Sequence, residues 1–129
     1  MTLQVLLLGL VGLVLLLKTV MFLRTRLVPQ YSPSEVAGRI GRHDGLLLLD
    51  VRTDRERTSQ HIKGSLHIPL QQLRARADEL RSNRHQEIVC YCQSGSRSLS
   101  AALILKKHGY RAASLRGGMV DWNFAQWPS

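Results

Sequence analysis

Leu3 to Leu23 is apolar apart from Gln4, Gly9, Gly12, Lys18 and Thr19. These 21 residues would make about 31 Å of helix at about 1.5 Å per residue. A hydrocarbon core of about 30 Å is the matching thickness. A cleaved signal peptide would need basic residues before the apolar run and a small-residue cleavage site after it, and neither is present. A core helix would not carry so many leucines beside a remainder that looks complete without them. The expected element is therefore a single transmembrane anchor, with Lys18 close enough to one end to reach the interface. The flanking cations Arg24 and Arg26 both lie on the C-terminal side. An excess of positive charge marks the cytoplasmic side, so the chain is expected to be a single-pass protein, as in a bacterial inner membrane, with its C-terminal part in the cytoplasm. The boundaries drawn are 1–26 for the anchor (span about 3–23), 27–30 for a short linker and 31–129 for one small domain.

Residues 1–26 hold three basic groups and no acid, whereas the other 15 Lys and Arg face all 9 acids, leaving the remainder at +6. A basic domain suits anionic headgroups and small anions. With few aromatics among the cations and no nucleic-acid motif, no nucleic-acid partner is expected. The two cysteines, Cys90 and Cys92, are read as facing opposite sides of one strand. A disulfide between them would close almost no loop and be sterically poor, which favours a reducing compartment.

After residue 30 strand and helix patterns alternate. Ser32-Pro33-Ser34-Glu35 is a capping box with Pro33 at the first helical position, and its helix stops near Gly41. Leu46 to Val51 reads as a buried strand and Thr53 to Gln60 as a short exposed helix. Ser65 to Ile68 is a short strand closed by Pro69. Leu70, Leu73, Ala77 and Leu80 mark one amphipathic helix. Glu87 to Cys92 is a second buried strand, Arg97 to Lys107 a helix capped at Gly109, and Arg111 to Leu115 a third strand. Gly117-Gly118 turns into a last helix from Met119 to Gln126. Such alternation implies a mostly parallel sheet with helices on both faces.

In sheets of this kind ligands sit beyond the carboxyl ends of the strands. The strand from Glu87 delivers Cys92 there, and Gln93-Ser94-Gly95-Ser96-Arg97 follows as a short polar turn into a helix. Successive loop amides and the helix N-terminus favour an anion. They would lower the thiol pKa from about 8.5, and Arg97 would add a full charge. Cys92 is thus the candidate nucleophile and residues 93–97 its cradle.

The run CQSGSRS from Cys92 to Ser98 resembles the active-site loop of the rhodanese family. Leu48-Leu49-Asp50-Val51-Arg52 resembles that family's strand ending in Asp-x-Arg. Gln60 to Pro69 resembles its G-H-I-x-G-A-x-x-I-P segment, with Gln60 where Gly is usual and Ser65 where Ala is usual. Leu115 to Trp122 resembles its closing L-x-G-G-x-x-x-W. The match covers residues 31–127. It implies a three-layer α/β/α rhodanese-like fold and a sulfurtransferase without a cofactor. A sulfane sulfur would pass from a small anionic donor such as thiosulfate, through a persulfide on Cys92, to a thiol acceptor (a protein among the candidates) or to cyanide.

Two alternatives have the same architecture. A persulfide relay or interaction module would show little turnover of its own. Phosphatases and arsenate reductases of related fold use a C-x5-R loop, but only four residues separate Cys92 from Arg97, a cradle too tight for phosphate. Asp50 is expected to accept hydrogen bonds from the loop or pair with an Arg, and Arg52 to face the pocket. Ser98 is expected to open the helix after the loop, and Cys90 to be a buried apolar thiol. Trp122 and Trp127 read as packing residues. His61 and His67 make no metal spacing with Cys92, so no metal is assigned.

Overall fold

A computed structural model describes residues 2–126. The N-terminal helix α1, Leu3–Leu27, is continuous through Lys18. Its stretch Leu3–Arg24 is long and apolar enough to cross a membrane, and none of it is buried against the rest of the chain. The domain follows as β1 (Gln30–Tyr31), α2 (Pro33–Gly41), β2 (Leu46–Asp50), α3 (Asp54–Ser59), β3 (Leu66–His67) and α4 (Leu70–Arg76). After a 3-10 segment (Ala77–Asn83) come β4 (Glu87–Tyr91), α5 (Ser96–Lys107), β5 (Arg111–Leu115) and α6 (Gly118–Gln126). The five strands are ordered β1-β5-β4-β2-β3, and every pairing is parallel.

Helices cover both faces, as expected for a buried parallel sheet. On one face Leu49, Ile88, Cys90 and Cys92 pack with Leu73 of α4 and Ala101, Ala102 and Leu105 of α5. On the other Leu48, Val89 and Tyr91 pack with Val36 of α2 and Met119 of α6, and Trp122 leans on this cluster. Cys90 and Cys92 therefore share a face. The opposite-face reading was wrong, because side chains alternate with a period of two and residues i and i+2 point the same way. Both are free thiols. Trp127 lies outside the described residues.

Two elements depart from the sequence pattern. β1 falls in the stretch read as linker and domain start: Gln30 and Tyr31 pair with Ser114 and Leu115, and Val28 is buried at 2% exposure. A two-residue edge strand is too short to show alternation, and Pro29, which cannot donate, still offers its carbonyl to the Ser114 amide at 2.9 Å. The helix expected from Leu70 to beyond Leu80 tightens at Ala77 into the 3-10 segment. Leu73, Ala77 and Leu80 remain buried, and the Arg76–Glu79 ion pair at 2.7 Å suits a helix in which i and i+3 eclipse.

Candidate active site

The strand end, the loop and the first turn of α5 converge on Cys92 Sγ. The loop turns at Gly95, whose φ of +109° is accessible to glycine at little cost. This turn aims the Gly95 amide at Sγ, 3.0 Å away. Gly95 is also the N-cap of α5 and offers no side chain to that end, so the first amides of the helix remain free to face an anion. Ser98, one turn into α5, sets its Oγ 3.6 Å from Sγ. Cys92 is fully buried. Burial pushes its thiol pKa up, but the Ser98 hydroxyl and the Ser98, Gly95 and Ser94 amides together outweigh it and leave the pKa below its ordinary value. Cys90, on the same face without such donors, is pushed far up by burial and by the neighbouring Cys92 charge.

Asp50 and Arg52 form a second, fully buried cluster at the end of β2. The Asp50 carboxylate accepts from the Arg52 amide at 2.9 Å, from Arg52 Nε at 3.0 Å and Nη2 at 2.9 Å, and from Tyr91 Oη at 3.1 Å. Arg57 adds a contact at 3.4 Å. Burial raises the Asp50 pKa, but the hydrogen bonds and charge of Arg52 with the Tyr91 hydroxyl bring it below the usual carboxylate range. Arg52 also donates to the side chain of Gln93, the first loop residue, at 3.2 Å, and to the Gln60 carbonyl at 2.5 Å. Asp50 lies on the Tyr91 face of the sheet, and its hydrogen bonds go to Arg52, Tyr91 and Arg57, none of them in the loop. Its link to the loop runs through Arg52.

The Arg97 guanidinium makes no hydrogen bond to Cys92. Its two terminal nitrogens donate to Glu56 of α3 at 2.7 and 2.9 Å. This pair holds the Glu56 carboxyl down at about 2, while the Arg97 charge still interacts at a distance with that of Cys92. The Gly95 and Ser94 amides of the loop, with Ser98, face the sulfur, while the Arg97 side chain ties the loop to α3. Among the described residues no group of three or more His, Cys, Asp or Glu could hold a metal ion.

Residues 32–125 match the model of the rhodanese-like domain family. A protein of Allochromatium vinosum named sulfurtransferase is 32% identical over 97 residues, covering 74% of this chain and 89% of that one. YrkF of Bacillus subtilis is 38% identical over 96 residues, and there the match covers 74% of this chain but only 51% of the relative, about half its length. Among solved structures, a rhodanese-related protein of Thermoplasma volcanium superposes with a TM-score of 0.69 at 25% identity, covering 78% of this chain and 95% of that one. The chain belongs to the rhodanese-like domain family.

Within this rhodanese-like domain, several supporting residues had no local sequence signal. Ser114, fully buried in β5, holds Ser98 Oγ at 2.7 Å. Its hydroxyl can donate to Ser98, whose own hydroxyl donates to the Gly95 carbonyl at 3.0 Å and accepts from the Cys92 thiol; on a thiolate the Ser98 proton can turn to the sulfur instead. Gly118, read only as part of a turn, brings the start of α6 against the loop. The Met119 amide donates to the Cys92 carbonyl at 2.9 Å and the Val120 amide to the Gln93 carbonyl at 3.2 Å. With these loop carbonyls bound by α6, the loop amides remain for the sulfur. A Cβ at Gly118 would collide with the Cys92 carbonyl oxygen and come within 2.7 Å of the Gln93 carbonyl group.

Both departures from the family pattern are also used. Ser65 Oγ lies 2.8 Å from Tyr91 Oη and accepts from Arg57 at 3.0 Å. The Gln60 and Asn123 amides pair reciprocally at 3.0 and 3.1 Å. Asn123, Gln93, Val120 and Phe124 line an open hollow of about 400 Å³ beside the loop.

Two expected outcomes follow from this geometry. Gly118→Ala should lose about 1–3 kcal/mol from overpacking and most sulfur transfer, because backbone atoms on both sides of the contact cannot yield. Thermal unfolding and a thiocyanate assay check it. Ser98→Ala removes the hydroxyl that helps hold the Cys92 pKa below its ordinary value. The pH at which Cys92 alkylates half-maximally with iodoacetamide should therefore rise, and Cys90 should stay unmodified throughout. A Ser98→Ala profile that overlays the parent would remove this serine from the account.

Proposed function

We propose that the protein is a sulfurtransferase that carries a sulfane sulfur as a persulfide on Cys92. The observation that supports it most is the Cys92 sulfur at the floor of a loop whose amides and Ser98 stabilise its negative charge. In the first step the thiolate attacks the outer sulfur of thiosulfate. The S–S bond of the donor breaks, sulfite leaves with the electron pair, and Cys92 holds a persulfide. In the second step a thiol or cyanide attacks the outer sulfur, the new S–S bond breaks and the Cys92 thiolate is restored. This is covalent catalysis in two half-reactions with ping-pong kinetics. Gln93, Ser94, Gly95, Ser96 and Arg97 hold the persulfide through their backbone. Asp50 and Arg52 position the loop through Gln93, and Ser98 stabilises the leaving thiolate. The engagement of Arg97 by Glu56 weighs against phosphoryl or arsenate chemistry, which needs that guanidinium on the oxyanion.

We place this activity at the cytoplasmic face of a bacterial inner membrane, with α1 as its single span. Two observations support the placement: the length and exposure of Leu3–Arg24 and the basic C-terminal flank. A phosphatase or fluorescent reporter fused after Ser129 should be active only in its cytoplasmic form.

The test of the chemistry uses the full chain in detergent. After thiosulfate, the peptide bearing Cys92 should gain the mass of one sulfur atom, and cyanide should remove it as thiocyanate. Absence of both would overturn the proposal. Slow thiosulfate turnover with fast sulfur uptake from a persulfide-bearing protein would assign a relay role to the same cysteine.

A further inference from the structure

Three cations meet where α1 joins the domain. The end of α1, the first turns of α4 and the second half of α5 enclose a groove of about 510 Å³, lined by Arg24, Arg74 and Lys107 with Leu27, Leu103 and Ile104. The joint is held, because Lys106 Nζ donates to the Leu27 carbonyl at 2.7 Å and Val28 is buried in the core immediately after it. Among the described residues no Asp or Glu lines the groove. Elsewhere Arg39, Arg42, Arg52, Arg57, Arg76 and Arg97 each sit within 4.0 Å of a described carboxylate, whereas Arg26, Arg55, Arg81, Arg84, Arg111 and Arg116 do not, so what sets the groove apart is that three cations line one apolar-walled hollow at the end of α1. Among the described residues, the side chains of Arg24, Arg74 and Lys107 have no ion pair and no hydrogen-bond partner. Like charges on one groove repel unless an anion joins them, and the described residues supply none there.

We propose that this groove seats the phosphate headgroup of an anionic phospholipid. The inference rests on α1 being a membrane span. Arg24 ends the apolar stretch, so the groove opens at headgroup depth, where anionic lipids concentrate cations. Arg24, Arg74 and Lys107 meet the phosphate. Leu27, 62% exposed, continues the apolar surface of the span into the groove and meets the glycerol esters and upper acyl carbons. That apolar wall favours a lipid over a soluble anion. Lys107 ends α5 and Cys92 lies beside its first turn, so this cation and the sulfur are separated by roughly the length of the helix, about 18 Å for 12 residues.

The test reconstitutes the full chain in nanodiscs of phosphatidylcholine with and without phosphatidylglycerol and follows backbone hydrogen exchange. Amides of residues 70–74 and 103–107 should exchange several-fold more slowly with phosphatidylglycerol, and the difference should shrink as salt rises. The combined variant Arg24→Gln, Arg74→Gln, Lys107→Gln should exchange alike in both lipids. If that variant does not fold, the parent's response to lipid composition decides alone. Equal exchange in both lipids, from a chain that still resists alkaline carbonate extraction, would overturn the seat and leave the span standing. Extraction of the parent by carbonate would overturn span and seat together. The same slowing from inorganic phosphate added to phosphatidylcholine discs would overturn the assignment to lipid.

Discussion

Cys92→Ser should abolish sulfur transfer, a loss of at least about 10³-fold, the scale on which removal of a covalent nucleophile acts. The substitution is close to isosteric, and a serine Oγ can still accept from the Gly95 amide, which now donates to the sulfur at 3.0 Å. The fold should therefore survive, and the thermal midpoint should change little. A hydroxyl, however, cannot carry a sulfane sulfur, and the amides that lower a thiol pKa do not bring an alcohol into range. The parent gains rate as pH rises through the lowered Cys92 pKa and is flat above it. The variant should stay at background at every pH. Thiocyanate formation and the mass of the Cys92 peptide check both statements, and sulfur found on Cys90 in the variant would reassign the nucleophile.

Asp50→Asn should destabilise the domain by about 3–5 kcal/mol, the cost of leaving a buried charge without its partner. Domains of this kind have about 5–15 kcal/mol in total. Asp50 is fully buried, Arg52 is 2% exposed, and among the described residues the Arg52 guanidinium has no other carboxylate within 4.0 Å. Among the described residues no buried side-chain nitrogen or oxygen lacks a hydrogen-bond partner, so the amide would break a closed network that includes Tyr91 and Arg57. Urea unfolding should show a lower midpoint with an unchanged slope.

The pH dependence carries the same signature. Asp50 is held below its ordinary pKa, so its contribution is complete above the unfolded-state value and is lost as pH falls through the folded one. Glu56 adds to this between its ordinary value of 4.5 and about 2. Parent stability should therefore fall as pH drops below about 4.5, and the Asp50→Asn curve should be flatter there. An Asp50→Asn protein as stable as its parent would show that Arg52 finds another counterion.

Much of the fold was legible because it is written in local patterns. The Ser32 capping box is present, with both of its reciprocal hydrogen bonds. The apolar runs at Leu46 and Glu87 are the neighbouring interior strands β2 and β4, and Gly109 follows α5 with a φ of +87°. The short β1 and the tightening at Ala77 were not legible, because two residues show no period and a 3-10 turn keeps the same apolar spacing.

The chain itself, read without any neighbours, determined the order of elements, the exposed apolar helix and a cysteine at the end of a strand before a polar loop. These depend on backbone preference and periodicity within a few residues. Tertiary structure alone decided how the charges are used. Glu56 takes up Arg97 across 41 positions, Ser114 steadies Ser98 from the next strand, and the start of α6 binds the loop carbonyls so that the amides face Sγ. A hydrogen bond between residues far apart in the chain is chosen by packing, since it forms only where the sheet and its helices bring donor and acceptor within about 3 Å.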